Sequence, residues 1–137
     1  MSHVVVSRLL FVIGLGLGLG LGACGSASYH TVTLVNLSPR AIEEVYIFPT
    51  GGADHGASRA TLAPNATAAV QVKAGNVDVL AVSAKERVDD TQTETKTATQ
   101  TLELRGPLEL VFHDSNQHPP ELARKGTVGI AFRATTP

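Results

Sequence analysis

The densest group of chemistry-bearing side chains in this 137-residue chain is His113-Asp114-Ser115-Asn116-Gln117-His118, two imidazoles and a carboxylate within one short stretch. His113, Asp114 and His118 are ligand types for zinc or copper, which require three or four such donors converging on one point. His55, next to Asp54, is a further imidazole able to complete such a set, and His30 lies further upstream. The alternative account of the same residues is a strand end and loop whose histidines are simply solvated. For nucleophilic chemistry the sequence offers less. It has no G-x-S-x-G elbow, Ser38 and Ser83 have no His–acid pair near them, and nothing in the sequence order directs Asp54-His55 at Ser58 or His113-Asp114 at Ser115 as a triad. Asp89 and Asp90 near Glu86 lack the spacing of a calcium loop and read as a solvated charge run. The expectation is a protein that is not an enzyme and carries no cofactor.

The elements that would position these groups are short strands separated by turn chemistry. Thr31–Val35 alternates and ends at Asn36 before Ser38-Pro39, where proline suits a tight turn. Residues 41–48 form a second strand whose apolar positions Ile42, Val45 and Ile47 slip phase, which predicts a β-bulge near Glu43 and Glu44. Residues 49–60 are glycine-rich and aperiodic, an exposed loop. Strands follow at 67–73, 77–84, 98–104, 108–113 and 127–134, the fourth of the seven apolar enough to be central. Seven strands without a helical period predict an all-β, antiparallel seven-stranded sandwich, immunoglobulin-like or transthyretin-like, over residues 31–134.

One stretch resists this pattern. In TQTETKTATQT every second residue from Thr91 to Thr101 is threonine. Leu102 and Leu104 must point inward, so the same parity turns Gln92, Glu94 and Lys96 toward the core. Because an apolar core does not accept those three, residues 86–97 are expected to leave the core as a polar arm or mobile loop. Thr91, Thr93, Thr95 and Thr97 then become candidates for a partner-binding edge, since threonine favours extended backbone and an unpaired edge accepts a strand. A hairpin arm whose threonines merely face water is the competing reading.

The first segment is of another kind. Arg8 closes a short polar start, Leu9–Leu21 is an apolar run, and Gly22 and Ala23 are small, the three parts of a secretory signal. The run is shorter than the roughly 20 residues needed to span a bilayer as a helix. Leu21-Gly22-Ala23-Cys24 resembles the lipobox of bacterial lipoproteins. That resemblance implies cleavage before Cys24, lipidation of its thiol, and a membrane partner held through the acyl chains, each buried methylene contributing about 0.8 kcal/mol. It also implies a signal peptide at 1–23 and a tether at 24–30. Gly25 stands where an Asp would favour inner-membrane retention in enterobacterial-like lipoproteins, so the resemblance favours the periplasmic side of an outer membrane. Cys24 is the only cysteine, so once lipidated it leaves no thiolate for a metal and no disulfide to brace the domain.

A second resemblance lies in Thr31-Val32-Thr33-Leu34-Val35-Asn36, in Val45-Tyr46-Ile47-Phe48-Pro49-Thr50-Gly51 and in Thr61-Leu62-Ala63-Pro64-Asn65-Ala66-Thr67. These are similar to the strand ends and turns of a group of small exported bacterial β-sandwich proteins. The group implies a fold and export, with no reaction attached.

Eleven Lys and Arg against twelve Asp and Glu give a formal charge of −1, which provides no electrostatic footprint for nucleic acid. The combined expectation is a membrane-anchored lipoprotein acting as a non-catalytic binding or envelope-assembly module with an envelope protein as partner. The alternative is a periplasmic metal- or ligand-binding protein using the His/Asp cluster.

Overall fold

The computed structural model describes residues 28–134. The signal segment 1–23, Cys24 and residues 25–27 fall outside them. The strands are β1 (Tyr29–Asn36), β2 (Ile42–Pro49), β3 (Thr67–Lys73), β4 (Gly75–Ser83), β5 (Glu86–Arg87), β6 (Thr93–Glu94), β7 (Lys96–Leu104), β8 (Leu108–Asp114) and β9 (Thr127–Ala134). A single 3-10 turn, Pro120–Ala123, interrupts the β8–β9 connection. The fold is all-β, and all seven expected strands are present. β1 begins at Tyr29, two residues before the expected start, so Tyr29 and His30 belong to the sheet rather than to the stretch 24–30 expected as a tether.

Seven strands form one curved sheet in the order β2-β4-β7-β9-β8-β1-β3, and β5 and β6 form a separate two-stranded hairpin. The expectation of an antiparallel sandwich needs correction. β1 runs parallel to β8 (Val32 beside Leu108), and β8 runs parallel to β9 (Glu109 beside Thr127). The sheet is therefore mixed and nearly closed into a barrel. The physical reason lies in the long connection after Asp114. Parallel neighbours need a crossover rather than a hairpin, and residues 115–126 carry the chain back over the outside of β8 and β9. There Leu122 lies so close to Gly129 that a Cβ at that position would sit 2.8 Å from its Cδ2. Leu110, Val111, Phe112 and His113 are consequently all buried, the signature of a strand covered on both faces.

The two end strands are brought together by the segment between them. Ile42 and Leu62 exchange backbone hydrogen bonds of 2.8 and 2.9 Å, and the Arg59 N–H donates to the Val45 carbonyl at 2.7 Å. The Arg59 guanidinium also donates to the Gln71 carbonyl on β3. The bulge expected near Glu43 is present, as the β2–β4 register shifts between Ile42 and Glu44. Alternating residues fill the interior: Val32 and Leu34 from β1, Val77, Val79 and Ala81 from β4, Leu110 and Phe112 from β8, and Ile130 and Phe132 from β9. The Phe112 and Phe132 rings meet at 6.0 Å.

The barrel has two distinct ends. At the first, Ala74 N–H donates to the Ser28 carbonyl at 2.8 Å, and Gly75 faces Leu104 across β4 and β7. Only Ala74 separates β3 from β4, and Gly75 makes that reversal at φ +129°, a region that disfavours any side chain. At the second end lie Ile42, Ser83, Lys96, Asp114 and Ala134.

Candidate functional site

The second end carries the most developed polar arrangement among the described residues. It is organised around Asn36, which is wholly buried at the close of β1. Its Nδ2 donates to the carbonyls of Arg40 (2.8 Å), Leu62 (3.1 Å) and Ala63 (3.3 Å), while its Oδ1 accepts from the Ser38 N–H and hydroxyl at 3.0 and 2.7 Å. A buried amide keeps its place only when fully satisfied in this way, and here it fixes the 37–41 turn.

That turn aims Arg40 at the small hairpin. Its Nη1 donates to the Glu94 carbonyl at 2.9 Å, its Nη2 to the Glu94 carboxylate at 2.6 Å, and its Nε lies 3.4 Å from the Glu86 carboxylate. The guanidinium side chain is only 11% exposed, so this is a partly desolvated fork clamping both hairpin strands. Alongside it, Lys96 N–H donates to the Ser83 hydroxyl at 2.8 Å, and Nζ stands 3.6 Å from Asp114 Oδ2. Parity did turn Glu94 and Lys96 inward, but at the barrel's end, where Arg40 and Asp114 neutralise them. The arm expected over 86–97 is thus a folded hairpin pinned to the barrel, and β7 starts at Lys96 rather than Ala98.

The threonines divide where the chain passes from hairpin to barrel. Thr91 is exposed at the hairpin tip, its N–H and hydroxyl donating to Asp89 Oδ1 at 2.8 and 3.1 Å. The Thr91 N–H foremost, with its hydroxyl and the Gln92 N–H, holds the Asp89 carboxyl below its ordinary range against the opposing effect of desolvation. Thr93 is exposed opposite Arg87, Thr95 links the two sheets, and Thr97 faces Val82 on one side and Arg133 on the other. Thr97, Thr99 and Thr101 continue on the outer face of β7.

That outer face holds an open concavity of about 470 Å³ lined by Phe48, Asp78, Leu80, Thr99 and Thr101 among others. Asp78 Oδ1 accepts the Thr101 hydroxyl at 2.6 Å and the Thr50 hydroxyl at 3.2 Å. His55 stacks on Phe48 at 4.4 Å and tilts toward Tyr46 at 5.8 Å. A hydrogen bond to Glu44, with some burial, raises the Tyr46 hydroxyl pKa.

The residues proposed as metal ligands are engaged separately. His113 is buried, with Nδ1 2.8 Å from the Asp114 carbonyl oxygen and Nε2 directed at Gly129. Asp114 pairs with Lys96, and the His118 Nδ1 sits 2.8 Å from the Gln117 carbonyl oxygen. Among the described residues no group of three or more His, Cys, Asp or Glu is placed to hold a metal ion. Sequence reasoning missed Asn36 and Arg40. The only available signal was their position around Ser38-Pro39, a turn that had to be stabilised by something. No family model, curated protein or solved structure matches the chain.

Proposed function

We propose that the chain is a lipid-anchored protein of the bacterial envelope, a non-catalytic binding or assembly module held to a membrane through Cys24. Gly25 after the cysteine favours the periplasmic side of an outer membrane. The partner is another envelope protein, met at the Arg40-clamped hairpin and the threonines Thr91, Thr93, Thr95 and Thr97.

The observation that carries this reading is the opposition of the chain's entry and its hairpin. Ser28 lies four positions after Cys24, a reach of roughly 14 Å at most, and it enters beside Ala74 at one end of the barrel. β4 then runs nine residues to Ser83 at the other end, roughly 30 Å away at about 3.3 Å per residue. A domain tethered at the Ser28 end presents Arg40, Glu94 and the hairpin tip away from the bilayer. No helix among the described residues is long and apolar enough to cross a membrane, and the anchor in this reading is acyl chains alone.

Growth with an alkyne fatty acid tests the anchor: the wild-type chain takes up label and fractionates with membranes, whereas Cys24→Ala does neither. An unlabelled wild-type chain overturns it. Crosslinking in the intact envelope tests the partner, with a heterologous adduct expected for wild type and lost when residues 88–92 are replaced by a glycine-serine turn.

A further inference from the structure

The seam between β7 and β9 is incomplete. The two strands pair only at Lys96–Ala134 and Thr97–Arg133. From Ala98 to Leu104, β7 has β4 on one side and no strand on the other among the described residues, and Thr127–Phe132 of β9 likewise pairs only with β8. Gln100 records this gap. It shares the parity of Ala98 and Leu104, which are 1% and 2% exposed, yet Gln100 itself is open to solvent. Leu102, next on the same face, is only partly buried.

Exposed edges of this kind are normally blunted by Lys, Pro or a bulge. Ala98-Thr99-Gln100-Thr101-Leu102 has no charge and no proline, and its pairing with β4 is unbroken. β2 offers a contrast, since the Ile42–Leu62 bridge and the Arg59 N–H cover its free edge.

We propose that the bare edge of β7 pairs antiparallel with the same edge of a second copy of this chain, about a two-fold axis through Gln100. The choice of occupant comes from the strand's self-complementarity. Two copies related by an axis normal to the sheet keep the same face upward, so residue sums across the ladder must be even. Centred on Gln100, Ala98 faces Leu102 inside and Thr99 faces Thr101 outside. Centred on Thr99, Leu102 meets Lys96; centred on Thr101, Leu102 meets Gln100. Centring on Thr101 also sets Ala98 against Leu104, but it leaves Leu102 on Gln100 and Thr99 on Glu103; of the three registers only the one at Gln100 gives Leu102, the partly buried residue of the free edge, an apolar partner. That register also brings Glu103 of the second copy, whose carboxylate is held by Arg105 of its own chain at 2.8 Å, to the end of β9 beside Arg133, a guanidinium with no ion pair among the described residues, so that one carboxylate would stand between two guanidinium groups. Thr97 already pairs with Arg133, so the ladder runs from Ala98 to Leu102 in each copy. The pairing is independent of the anchor at Cys24 and places a second copy, rather than a foreign strand, on β7.

Cysteine capture in the full chain tests it. Facing residues in an antiparallel pair have Cα atoms about 4.5–5.5 Å apart, within the span of a disulfide. Gln100→Cys is expected to give a covalent dimer on mild oxidation. Thr97→Cys and Glu103→Cys are expected to give none, because residues three positions from the axis stand roughly 20 Å from their own copies. The wild-type chain with its native Cys24 is the baseline. No dimer at position 100, equal dimer at all three positions, or an adduct between position 100 and a different protein overturns the proposal. Light scattering supplies a second measurement, with a dimer expected for wild type and a monomer for Gln100→Lys. A monomeric wild-type chain at tens of micromolar would overturn it as well.

Discussion

Arg40 and Glu94, fifty-four positions apart, are joined twice, by Nη1 to the backbone carbonyl at 2.9 Å and by Nη2 to the carboxylate at 2.6 Å. One side chain thereby fixes both the position of the hairpin and the placement of a glutamate that its strand parity turns inward. Arg40→Met removes the fork while keeping much of the stem's packing. The expected cost is about 1–2 kcal/mol, small because Glu94 retains access to water. Amide hydrogen exchange over residues 86–94 should quicken at least tenfold while β4 and β8 stay protected. Equal loss of protection in the core strands would mean that Arg40 supports the whole barrel.

Asn36 makes a sharper case. Truncation to alanine leaves the Ser38 N–H without its acceptor and takes one donor from each of the Arg40, Leu62 and Ala63 carbonyls, which keep only the Ser38 hydroxyl, the Ile42 N–H and the Ala66 N–H. The expected loss is about 3 kcal/mol, measured by denaturant unfolding. Asn36→Asp adds a pH dependence. A carboxylate facing three carbonyl oxygens is pushed above its unfolded value of about 3.9. Its proton is held in the folded state, so stability is highest below that value and falls as pH rises through it. A variant that gains stability on raising the pH from 3 to 6 relative to wild type contradicts this placement of Nδ2.

The hairpin tip titrates in the opposite sense. Three donors, the Thr91 N–H and hydroxyl and the Gln92 N–H, hold the Asp89 carboxyl below its ordinary range. A group with a lowered folded pKa stabilises its fold above the unfolded pKa and loses that effect as pH falls through the folded one. The amide resonances of Thr91 and Gln92 should therefore move together, with a midpoint below the usual aspartate value of about 3.9. A midpoint at or above that value would show the tip to be unformed in solution.

Gly129 tests the crossover that covers β8 and β9. A methyl there would stand 2.8 and 2.9 Å from the two Leu122 δ-carbons and 3.1 Å from His113 Nε2. Leu122 can yield at the end of its side chain, so Gly129→Ala should cost about 1 kcal/mol and Gly129→Val about 3. Adding Leu122→Ala to Gly129→Ala should recover part of the loss, a coupling read from a double-mutant cycle. Strict additivity would place the 3-10 turn elsewhere.

Most of the wall could be read from alternation alone. The strand positions, the bulge beside Glu44 and the place of β4 between two neighbours, though second from the end of the sheet rather than at its centre, follow from side-chain periodicity, which acts over a few residues. Neighbour relations do not. Nothing local tells β1 to lie parallel to β8, although four successive buried residues from Leu110 to His113 carry the mark of a strand covered on both sides. The inward parity of Glu94 and Lys96 was also legible, and its consequence was misjudged because the partners come from the 37–41 turn and the end of β8. Pairings across such separations leave no periodic trace. The His113–His118 stretch shows the converse: close spacing in sequence placed its three candidates on a buried strand face, a salt bridge and an exposed loop.

The double role of β9 bears on how the chain folds. Its first six residues lie against β8 and its last two against β7, so the end of the domain is also its clasp. A chain emerging from its N-terminus can assemble β2 with β4, and β4 with β7, from nearby sequence, but β1 has no parallel neighbour until residues 108–114 exist. Closure then awaits Arg133 and Ala134. Folding governed by such distant pairings is slow, and until the clasp arrives β8 presents a bare edge and β7 is bare along its whole length rather than beyond Thr97 alone. A ribosome-stalled or proteolysed chain ending before residue 127 would therefore hold two three-stranded sheets with no strand ladder joining them, so the final strand also sets how much unpaired edge the protein exposes while it is being made.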